Sequence, residues 1–266
     1  MNVAYHLTKL GKNPALISRI GNDMLGREIL EVWQAQQVST TYIQVDETRD
    51  SGKVYAHHGE NNEMHYDIVN PSAWDYIQWD DALGPLVQNA DYFVFGSLAS
   101  RNLISAGTLL KCLELAQKKV FDINLRAPYI TRENIEILLG KADILKLNQA
   151  ELHLITGWAG NFKGDEERIQ YLQENYKTET IIVTKGGDGA MAYVDNQFFC
   201  HAGHKVQVAD TVGSGDAFLA GYLGGLLDKS PTDKILADAS ALGAFVATQT
   251  GGCPPYSIAD LAGFLG

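Results

Sequence analysis

The sequence DTVGSGDAFLAGYL occupies positions 210 to 223 of the chain. Gly213 and Gly215 let the backbone turn sharply, and the apolar residues that follow predict a helix over residues 214–227. The first N–H groups of a helix have no partner within it, so they form a site for an anion such as phosphate. Asp216 lies in the first turn of this helix, beside the predicted anion site.

A carboxylate beside a phosphate site repels the phosphate unless it has a chemical task there. Phosphoryl transfer provides one, because the attacking hydroxyl must be oriented and must lose its proton. We therefore predict Asp216 as the general base, with the amides of Gly213, Ser214 and Gly215 stabilising the developing charge. The alternative is that Asp216 only stabilises the helix, because a negative charge in the first turn interacts favourably with the helix dipole. Spacing alone leaves both interpretations open.

Two other phosphate-binding motifs do not fit this stretch. A GxGxxG motif that begins at Gly213 would need a third glycine at position 218, which is Phe218. A P-loop is excluded because no GxxxxGK[ST] sequence occurs in the chain.

The stretch resembles the C-terminal signature of the ribokinase-like (PfkB-type) carbohydrate kinases. Further motifs follow in that family's order: Asn2–Asp23 (NVAYHLTKLGKNPALISRIGND), Asp122–Arg126 (DINLR), Lys146–Leu152 (KLNQAEL) and Thr184–Gly189 (TKGGDG). The resemblance implies a Rossmann-like α/β fold with a mainly parallel sheet, flanking helices and a small β-sheet lid. It also implies a phosphotransferase that moves the γ-phosphate of ATP to a sugar hydroxyl.

The order of the predicted elements agrees with this fold. Strands and helices alternate through most of the chain, which indicates βαβ units and a parallel sheet. This alternation is absent between Thr41 and Val69, where no helix is predicted. Three short strand-like segments there predict a small antiparallel sheet: Tyr42–Val45, Lys53–His57 and Met64–Val69. We expect an α/β core from residues 1–40 and 70–266 and a β lid from residues 41–69. The lid is expected to close over the sugar and to pair with a second copy in a homodimer.

Asn148 and Glu151 lie three residues apart at a predicted helix start, so they share one face of that helix. The resemblance implies that this NxxE pair organises Mg²⁺ near the phosphates and that Asn148 also lies near the nucleotide. The alternative is a capping box, in which the two side chains only bind the helix's own first amides.

Thr184, Lys185, Gly186 and Gly189 follow a β-branched run that predicts a buried strand. The resemblance places this turn beside the phosphates and ribose of ATP. The alternative is a plain hairpin turn between two strands.

Polar residues also follow the strand predicted over residues 120–123, at the end where α/β sheets bind ligands. If the backbone stays extended, Asp122, Asn124 and Arg126 lie on one side of it. We expect Asn124 and Arg126 to contact the phosphate or the sugar. A solvated loop is the alternative and is equally supported for Arg126.

The expected sugar rests on the resemblance. It implies that Asn2 and Asp216 contact the sugar. Three segments most resemble fructokinases: Ser97–Arg101 (SLASR), Asp122–Tyr129 (DINLRAPY) and Ala73–Asp75 (AWD). Fructose is therefore the expected substrate, and Arg101 is an expected contact. The alternatives are ribose, 2-keto-3-deoxygluconate or a nucleoside, and also a non-catalytic protein that binds a nucleotide or sugar on the same scaffold.

A monovalent cation such as K⁺ is the remaining cofactor that the resemblance implies. In the family, the loop that corresponds to Gly251 binds such a cation together with the residues around Asp210 and Val212. The alternative is that Gly251 only ends the preceding helix.

The composition of the chain limits the binding partners and the cellular compartment that we expect. The 266 residues carry a net charge of −11, which disfavours nucleic acid and anionic membranes as partners because both attract basic surfaces. The three cysteines are scattered without zinc-type spacing, and no targeting segment is visible, so we expect a reduced, cytoplasmic protein.

The family also has a first strand and a Gly-Gly turn before the residue that matches Asn2. We expect these roughly thirty residues, about one βαβ unit, to be encoded upstream. Without them, we expect the 266-residue form to be poorly active or unstable.

Overall fold

The structure is a computed structural model that describes residues 1–58, 64–129 and 131–265. Its α-helices are α1 (Asn2–Lys9), α2 (Met24–Ala35), α3 (Leu83–Gln88), α4 (Leu103–Leu115), α5 (Arg132–Leu139), α6 (Gln149–Gly157), α7 (Asp165–Tyr176), α8 (Ser214–Leu227), α9 (Thr232–Ala247) and α10 (Ile258–Leu265). Its strands are β1 (Ser18–Gly21), β2 (Ile43–Asp46), β3 (Val54–His58), β4 (Met64–Ile68), β5 (Phe93–Gly96), β6 (Lys119–Asp122), β7 (Ile144–Asn148), β8 (Thr180–Thr184), β9 (Ala190–Val194) and β10 (Gln197–His201). In the described part of the chain, no helix is both long and apolar enough to cross a membrane.

The chain divides into two units. The first contains Met1–Pro14, Gln88–Leu98 and Ala116–Gly266. The second contains Ala15–Val87 and Ala99–Leu115.

The first unit is built on a six-stranded sheet in the order β10-β9-β8-β7-β6-β5. Strands β5 to β8 run parallel, and β9 and β10 continue the sheet antiparallel. Most residues of the inner strands β6, β7 and β8 are buried, as expected for parallel strands that are covered on both faces. This arrangement confirms the predicted α/β fold with a mainly parallel sheet and flanking helices.

Helices α1, α8 and α9 share one apolar core with the sheet. Leu7 of α1 and Leu219 of α8 are buried in the same cluster as Val120 and Ile182 from the sheet. A Cβ atom at Gly221 would lie 2.9 Å from the Cα of Ala239, so this glycine lets α8 and α9 approach closely. Helix α8 is therefore packed on one side against the sheet and on another against α9.

The second unit contains two separate pairs of strands. Strands β3 and β4 form the small antiparallel sheet that the sequence predicted. The prediction that the segment at Tyr42–Val45 belongs to the same sheet is wrong, because β2 pairs in parallel with β1. The pairing brings Arg19 of β1 within 3.0 Å of the buried carboxylate of Asp46, which needs a cationic partner.

The residues predicted as a lid, 41–69, are only part of this second unit. The unit also includes α2 and α4, and α4 is tied to the segment before α3 by side-chain hydrogen bonds. Ser105 accepts a hydrogen bond from the amide of Ile77 at 2.9 Å and donates one to the carbonyl of Trp74 at 2.8 Å. Residues 59–63 of the predicted lid lie outside the described residues.

Candidate active site

The loop before α8 adopts a conformation that depends on glycine. Gly213 has φ = +76°, in the left-handed region that other residues rarely occupy. A Cβ atom there would lie 2.4 Å from the Cα of Gly252, so the two glycine segments are in direct contact. Ser214 then begins α8, and its hydroxyl donates to the carbonyl of Gly243 at 2.9 Å. The residues predicted as an anion site, Gly213, Ser214 and Gly215, therefore form an anchored helix start. The amide of Ser214 donates to the carbonyl of Thr211 at 3.3 Å, and the first amides of α8 have no partner within the helix.

Asp216 lies in the first turn of α8 and is bound by a residue from α1. The side chain of Asn2 donates from Nδ2 to Oδ2 of Asp216 at 2.8 Å. The Sγ of Cys253 lies 3.4 Å from Oδ1 of Asn2 and donates to it. The structure thus brings together Asp216, the predicted base, and Asn2, a predicted sugar contact.

A buried ion pair lies next to the glycine loop. Nζ of Lys146 is 2.9 Å from Oδ1 of Asp122, and the two side chains are 5% and 6% exposed. A Cβ atom at Gly215 would lie 3.0 Å from Nζ of Lys146, so the ammonium group reaches the start of α8. Burial raises the pKa of Asp122 to about 6; Lys146 opposes this rise, and the negative charge of Asp216 adds to it. The pair therefore places a cation beside the predicted phosphate site.

Asn148 and Glu151 form a complete capping box at the start of α6. The amide of Glu151 donates to Oδ1 of Asn148, and the amide of Asn148 donates to Oε2 of Glu151, both at 2.9 Å. Oε1 of Glu151 accepts a further hydrogen bond from the amide of Leu125 at 2.9 Å. Each carboxylate oxygen has two lone pairs, so Glu151 retains acceptor capacity for water while it holds the loop after β6.

That loop corrects one geometric expectation. We predicted that Asp122, Asn124 and Arg126 lie on one side of an extended backbone, but Asn124 has φ = +46°. The left-handed conformation ends the alternation of side chains at the end of β6. Asn124 is half-buried and Arg126 is exposed, with its guanidinium donating to the neighbouring carbonyl of Leu125. Their contacts with phosphate or sugar stay predictions.

Thr184, Lys185, Gly186 and Gly189 form a tight turn between β8 and β9. Gly186 and Gly189 have φ values of +58° and +91°. A Cβ atom at Gly189 would lie 1.9 Å from the carbonyl oxygen of His201, so no side chain fits there. The hairpin turn that the sequence offered as an alternative is present, and nucleotide binding by the same turn stays a prediction.

The side chain of Lys185 is bound by a carboxylate at the start of α7. Nζ of Lys185 is 2.8 Å from Oδ2 of Asp165. Asp165 also accepts hydrogen bonds from Gln149 and His153, both at 2.8 Å. Burial favours a higher pKa for Asp165, but the hydrogen bonds from Lys185, His153 and Gln149 outweigh it and lower the pKa to about 2. Lys185 is thus held at the edge of the turn by a permanent negative charge.

Asp210 joins the loop before α8 to the loop after α9. Its carboxylate accepts a hydrogen bond from the amide of Val212 at 2.9 Å and another from the amide of Gly251 at 3.0 Å. Gly251 has φ = +78°. The three residues predicted around a monovalent cation are therefore neighbours in the structure, and cation binding by them stays a prediction.

Residues 1–259 match the family model described as pfkB family carbohydrate kinase. The chain belongs to the pfkB family of carbohydrate kinases. The family resemblance is thereby confirmed, and the chain is an enzyme that transfers a phosphoryl group to a sugar hydroxyl.

Similar proteins carry the name fructokinase. The chain is 28% identical to a fructokinase from Escherichia coli over 266 residues, which cover 94% of this chain and 85% of that protein. It is also similar to the crystal structure of a fructokinase from Vibrio cholerae O395 with fructose, ADP and calcium ion bound. The TM-score is 0.86 at 26% identity, with coverage of 100% of this chain and 89% of that chain. A structure of aminoimidazole riboside kinase from Salmonella enterica has a TM-score of 0.82 at 24% identity, covers 100% of this chain and 90% of that chain, and shows the shared fold.

Arg101, predicted as a sugar contact in this pfkB-family kinase, is bound within the second unit. Its side chain is 1% exposed and forms a two-pronged ion pair with the equally buried Asp75. The guanidinium lies 3.9 Å above the ring of Trp74 and donates to the carbonyl of Val69 at 2.8 Å. These contacts show Arg101 in a structural role, and its contact with sugar stays a prediction.

Lys146 was not among the predicted site residues, and Asp122 was placed beside Asn124 and Arg126 without a predicted partner. Both residues lie next to buried apolar residues in their strands, and charged side chains are rarely buried unless they are paired. A lysine within Ile144–Asn148 and an aspartate at the end of β6 were therefore the signals that a buried pair lies near the site.

Proposed function

We propose that this kinase is an ATP-dependent fructokinase, which phosphorylates a primary hydroxyl of fructose. The observation that carries the proposal is the hydrogen bond between Asn2 and Asp216 at the glycine-lined start of α8. It joins a residue suited to bind a sugar hydroxyl to a carboxylate suited to accept that hydroxyl's proton.

The proposed reaction is a direct transfer. The sugar hydroxyl gives its proton to Asp216 as its oxygen forms a bond to the γ-phosphorus, while the bond to the β-phosphate oxygen breaks and ADP leaves. The amides at Gly213–Gly215 donate hydrogen bonds to the phosphoryl oxygens on which charge develops. Lys146, close to Gly215, adds positive charge at the same point.

The residues suit a hydrated divalent cation near the phosphates. Asn148 is exposed, and the carboxylate of Glu151 has lone pairs left after the two backbone hydrogen bonds that it accepts, so both would bind Mg²⁺ largely through water. When bound, Mg²⁺ would neutralise charge on the phosphates. The structure of the similar Vibrio cholerae fructokinase contains a calcium ion, which supports the use of a metal ion by this kinase. K⁺ is proposed near Asp210, Val212 and Gly251.

Two surface depressions lie near residues of the proposed ATP and K⁺ sites. One of about 560 Å³ is lined in part by Lys185, which is proposed to bind ATP, and by Asp165. Another of about 490 Å³ is lined in part by Ala209 and Gln249, which are near in sequence to Asp210 and Gly251.

Fructose is proposed over other sugars because the curated relatives and the similar structure from Vibrio cholerae are named fructokinases. The motifs at Ser97–Arg101 and Asp122–Tyr129 support the same choice. Ribose, 2-keto-3-deoxygluconate and nucleosides are the competing acceptors.

The test is a panel of these acceptors with ATP and Mg²⁺, in which ADP production is measured for each. We expect kcat/KM to be highest for fructose. A strong preference for ribose or a nucleoside would refute the fructose assignment. Calorimetric binding of ATP and fructose without turnover would instead favour a non-catalytic binding protein.

A further inference from the structure

A buried histidine on α1 connects the candidate active site to the loop after α9. His6 is fully buried, and both of its ring nitrogens have partners. Nδ1 lies 3.0 Å from the hydroxyl of Tyr256, and Nε2 lies 3.0 Å from the carbonyl oxygen of Gly252. A buried imidazole with two specific partners has a defined orientation, unlike an imidazole that only fills space.

The partners fix where the proton of His6 lies. A carbonyl oxygen only accepts hydrogen bonds, so Nε2 must carry the proton and donate it to Gly252. Nδ1 is then the acceptor for the hydroxyl of Tyr256. Burial lowers the pKa of His6 and raises that of Tyr256, so both groups stay neutral and keep these roles. The Gly252 hydrogen bond and the charge of Asp216 oppose the lowering at His6 but are smaller than the effect of burial.

The carbonyl that His6 binds belongs to the surface that supports the glycine loop. A Cβ atom at Gly213 would lie 2.8 Å from the oxygen of Gly252 as well as 2.4 Å from its Cα. A Cβ atom at Gly252 would lie 2.9 Å from Nδ2 of Asn2, the atom that binds Asp216. A movement of Gly252 would therefore displace both the glycine loop and the side chain that orients Asp216.

We propose that His6 is a positioning residue: with Tyr256, it holds Gly252 against Gly213 and Asn2 and so fixes the geometry of the glycine loop and Asp216. This inference rests on the proposed function, since that loop and Asp216 are its catalytic parts. His6 touches neither substrate in this role. The hydrogen bond from the hydroxyl of Tyr5 to the carbonyl of Pro254, at 2.6 Å, secures the same loop from the adjacent position of α1.

The test compares two polar replacements of His6, each of which keeps a polar group near only one of the two ring nitrogens. His6→Gln keeps a donor near the position of Nε2, whereas His6→Asn keeps a polar group only near the position of Nδ1. We expect kcat of His6→Asn to fall by about tenfold or more, since small misplacements in an active site cost up to ~100-fold. KM values for ATP and fructose should change by less than about twofold, and His6→Gln should recover most of the lost kcat.

Thr8→Val is the matched control, because Thr8 lies on the same helix and its hydroxyl binds only the carbonyl of Ala4 there. Tyr256→Phe is a second variant, which removes the hydroxyl that donates a hydrogen bond to Nδ1 of His6. It should lower kcat less than His6→Asn does. Thermal unfolding of each variant shows whether the fold is retained. The proposal would be overturned if His6→Gln and His6→Asn lost kcat equally. It would also be overturned if His6→Asn kept the kcat of the wild type, or if Tyr256→Phe did.

Hydrogen exchange gives a second measurement that does not need turnover. Peptides that cover residues 211–217 and 249–254 should exchange faster in His6→Asn than in the wild type, His6→Gln or Thr8→Val. If the wild type phosphorylates none of the acceptors, the proposed function fails, and the exchange data still decide the role of His6. Unchanged exchange in both peptides would contradict it.

Discussion

Asn2 donates a hydrogen bond to Asp216 across 2.8 Å, although 214 positions separate the two residues in the sequence. The bond uses Oδ2 of the carboxylate, so α1 sets the orientation of the first-turn aspartate of α8. A general base must present a lone pair to the proton that it removes, and this contact would fix the direction in which Asp216 does so in its proposed role.

Asp216→Asn should lower kcat by about 10²–10⁴-fold, because an amide cannot accept the proton of the sugar hydroxyl. ATP affinity should stay the same or improve, since a negative charge beside the phosphates is removed. Steady-state kinetics and calorimetric ATP binding measure the two effects. Asp233→Asn, the same change in the first turn of α9, is the control and should leave kcat unchanged. Full activity of Asp216→Asn would remove Asp216 from the mechanism.

The raised pKa of Asp122 predicts a pH dependence of stability. The folded protein holds the proton of Asp122 up to about pH 6, whereas the unfolded chain releases it near pH 4, so this group stabilises the fold at low pH. Its contribution is complete below about pH 4 and is lost as pH rises to about 6, a change of about 3 kcal/mol. Urea unfolding between these pH values should therefore show that the wild type loses stability relative to Asp122→Asn. A constant difference between the two proteins would contradict the raised pKa.

The ion pair of Asp122 with Lys146 predicts a second stability effect. Lys146→Met leaves a buried carboxylate without its partner and should lower the free energy of unfolding by about 3–5 kcal/mol near neutral pH. The double variant Asp122→Asn with Lys146→Met should recover part of this loss because no unpaired charge remains. Denaturant unfolding of the three variants tests this, and a double variant no more stable than Lys146→Met would show that the pair is not coupled.

Lys185→Met should raise KM for ATP several-fold and leave KM for fructose unchanged, because Lys185 is proposed to lie beside the phosphates. The exposed Lys234 on α9 offers the control change Lys234→Met, which should alter neither constant. Initial rates at varied ATP and fructose measure both. An unchanged KM for ATP would show that Lys185 does not contribute to ATP binding and that its role is the ion pair with Asp165.

The hairpin β3–β4 is proposed as a lid and as a contact with a second copy. Val54 and Tyr55 on β3 are 58% and 51% exposed, and β3 pairs only with β4 among the strands that the structure describes. Large exposed side chains on an open strand edge favour contact with another chain. Val54→Asp should therefore shift the protein from dimer to monomer in light scattering at micromolar concentration. Val32→Asp, at a similarly exposed valine of α2, should not. A monomeric wild type, with hydrogen exchange in β3 unchanged by fructose and ADP, would contradict both roles.

Several elements were predictable from the sequence because their determinants are local. The helix start at Ser214 follows from Gly213. Thr131 is of a residue type that is favoured before a helix, and it caps α5 by accepting a hydrogen bond from the amide of Asn134. The capping box of Asn148 and Glu151 also needs only residues three apart. By contrast, α7 was not predicted, because its polar sequence has only two buried positions, Ile169 and Leu172, and so gives a weak apolar pattern.

The sequence by itself determined the kinase family, the parallel sheet and the glycine-lined start of α8, because turns, caps and apolar periodicity depend on residues a few positions apart. Only the tertiary structure decided which side chains meet. It set Asn2 against Asp216 and Lys146 against Asp122, it paired β2 with β1 instead of β3, and it turned Asn124 away from an extended path. These outcomes depend on strand order, on helix packing and on the need of buried charges for partners, and none of these can be read from local spacing.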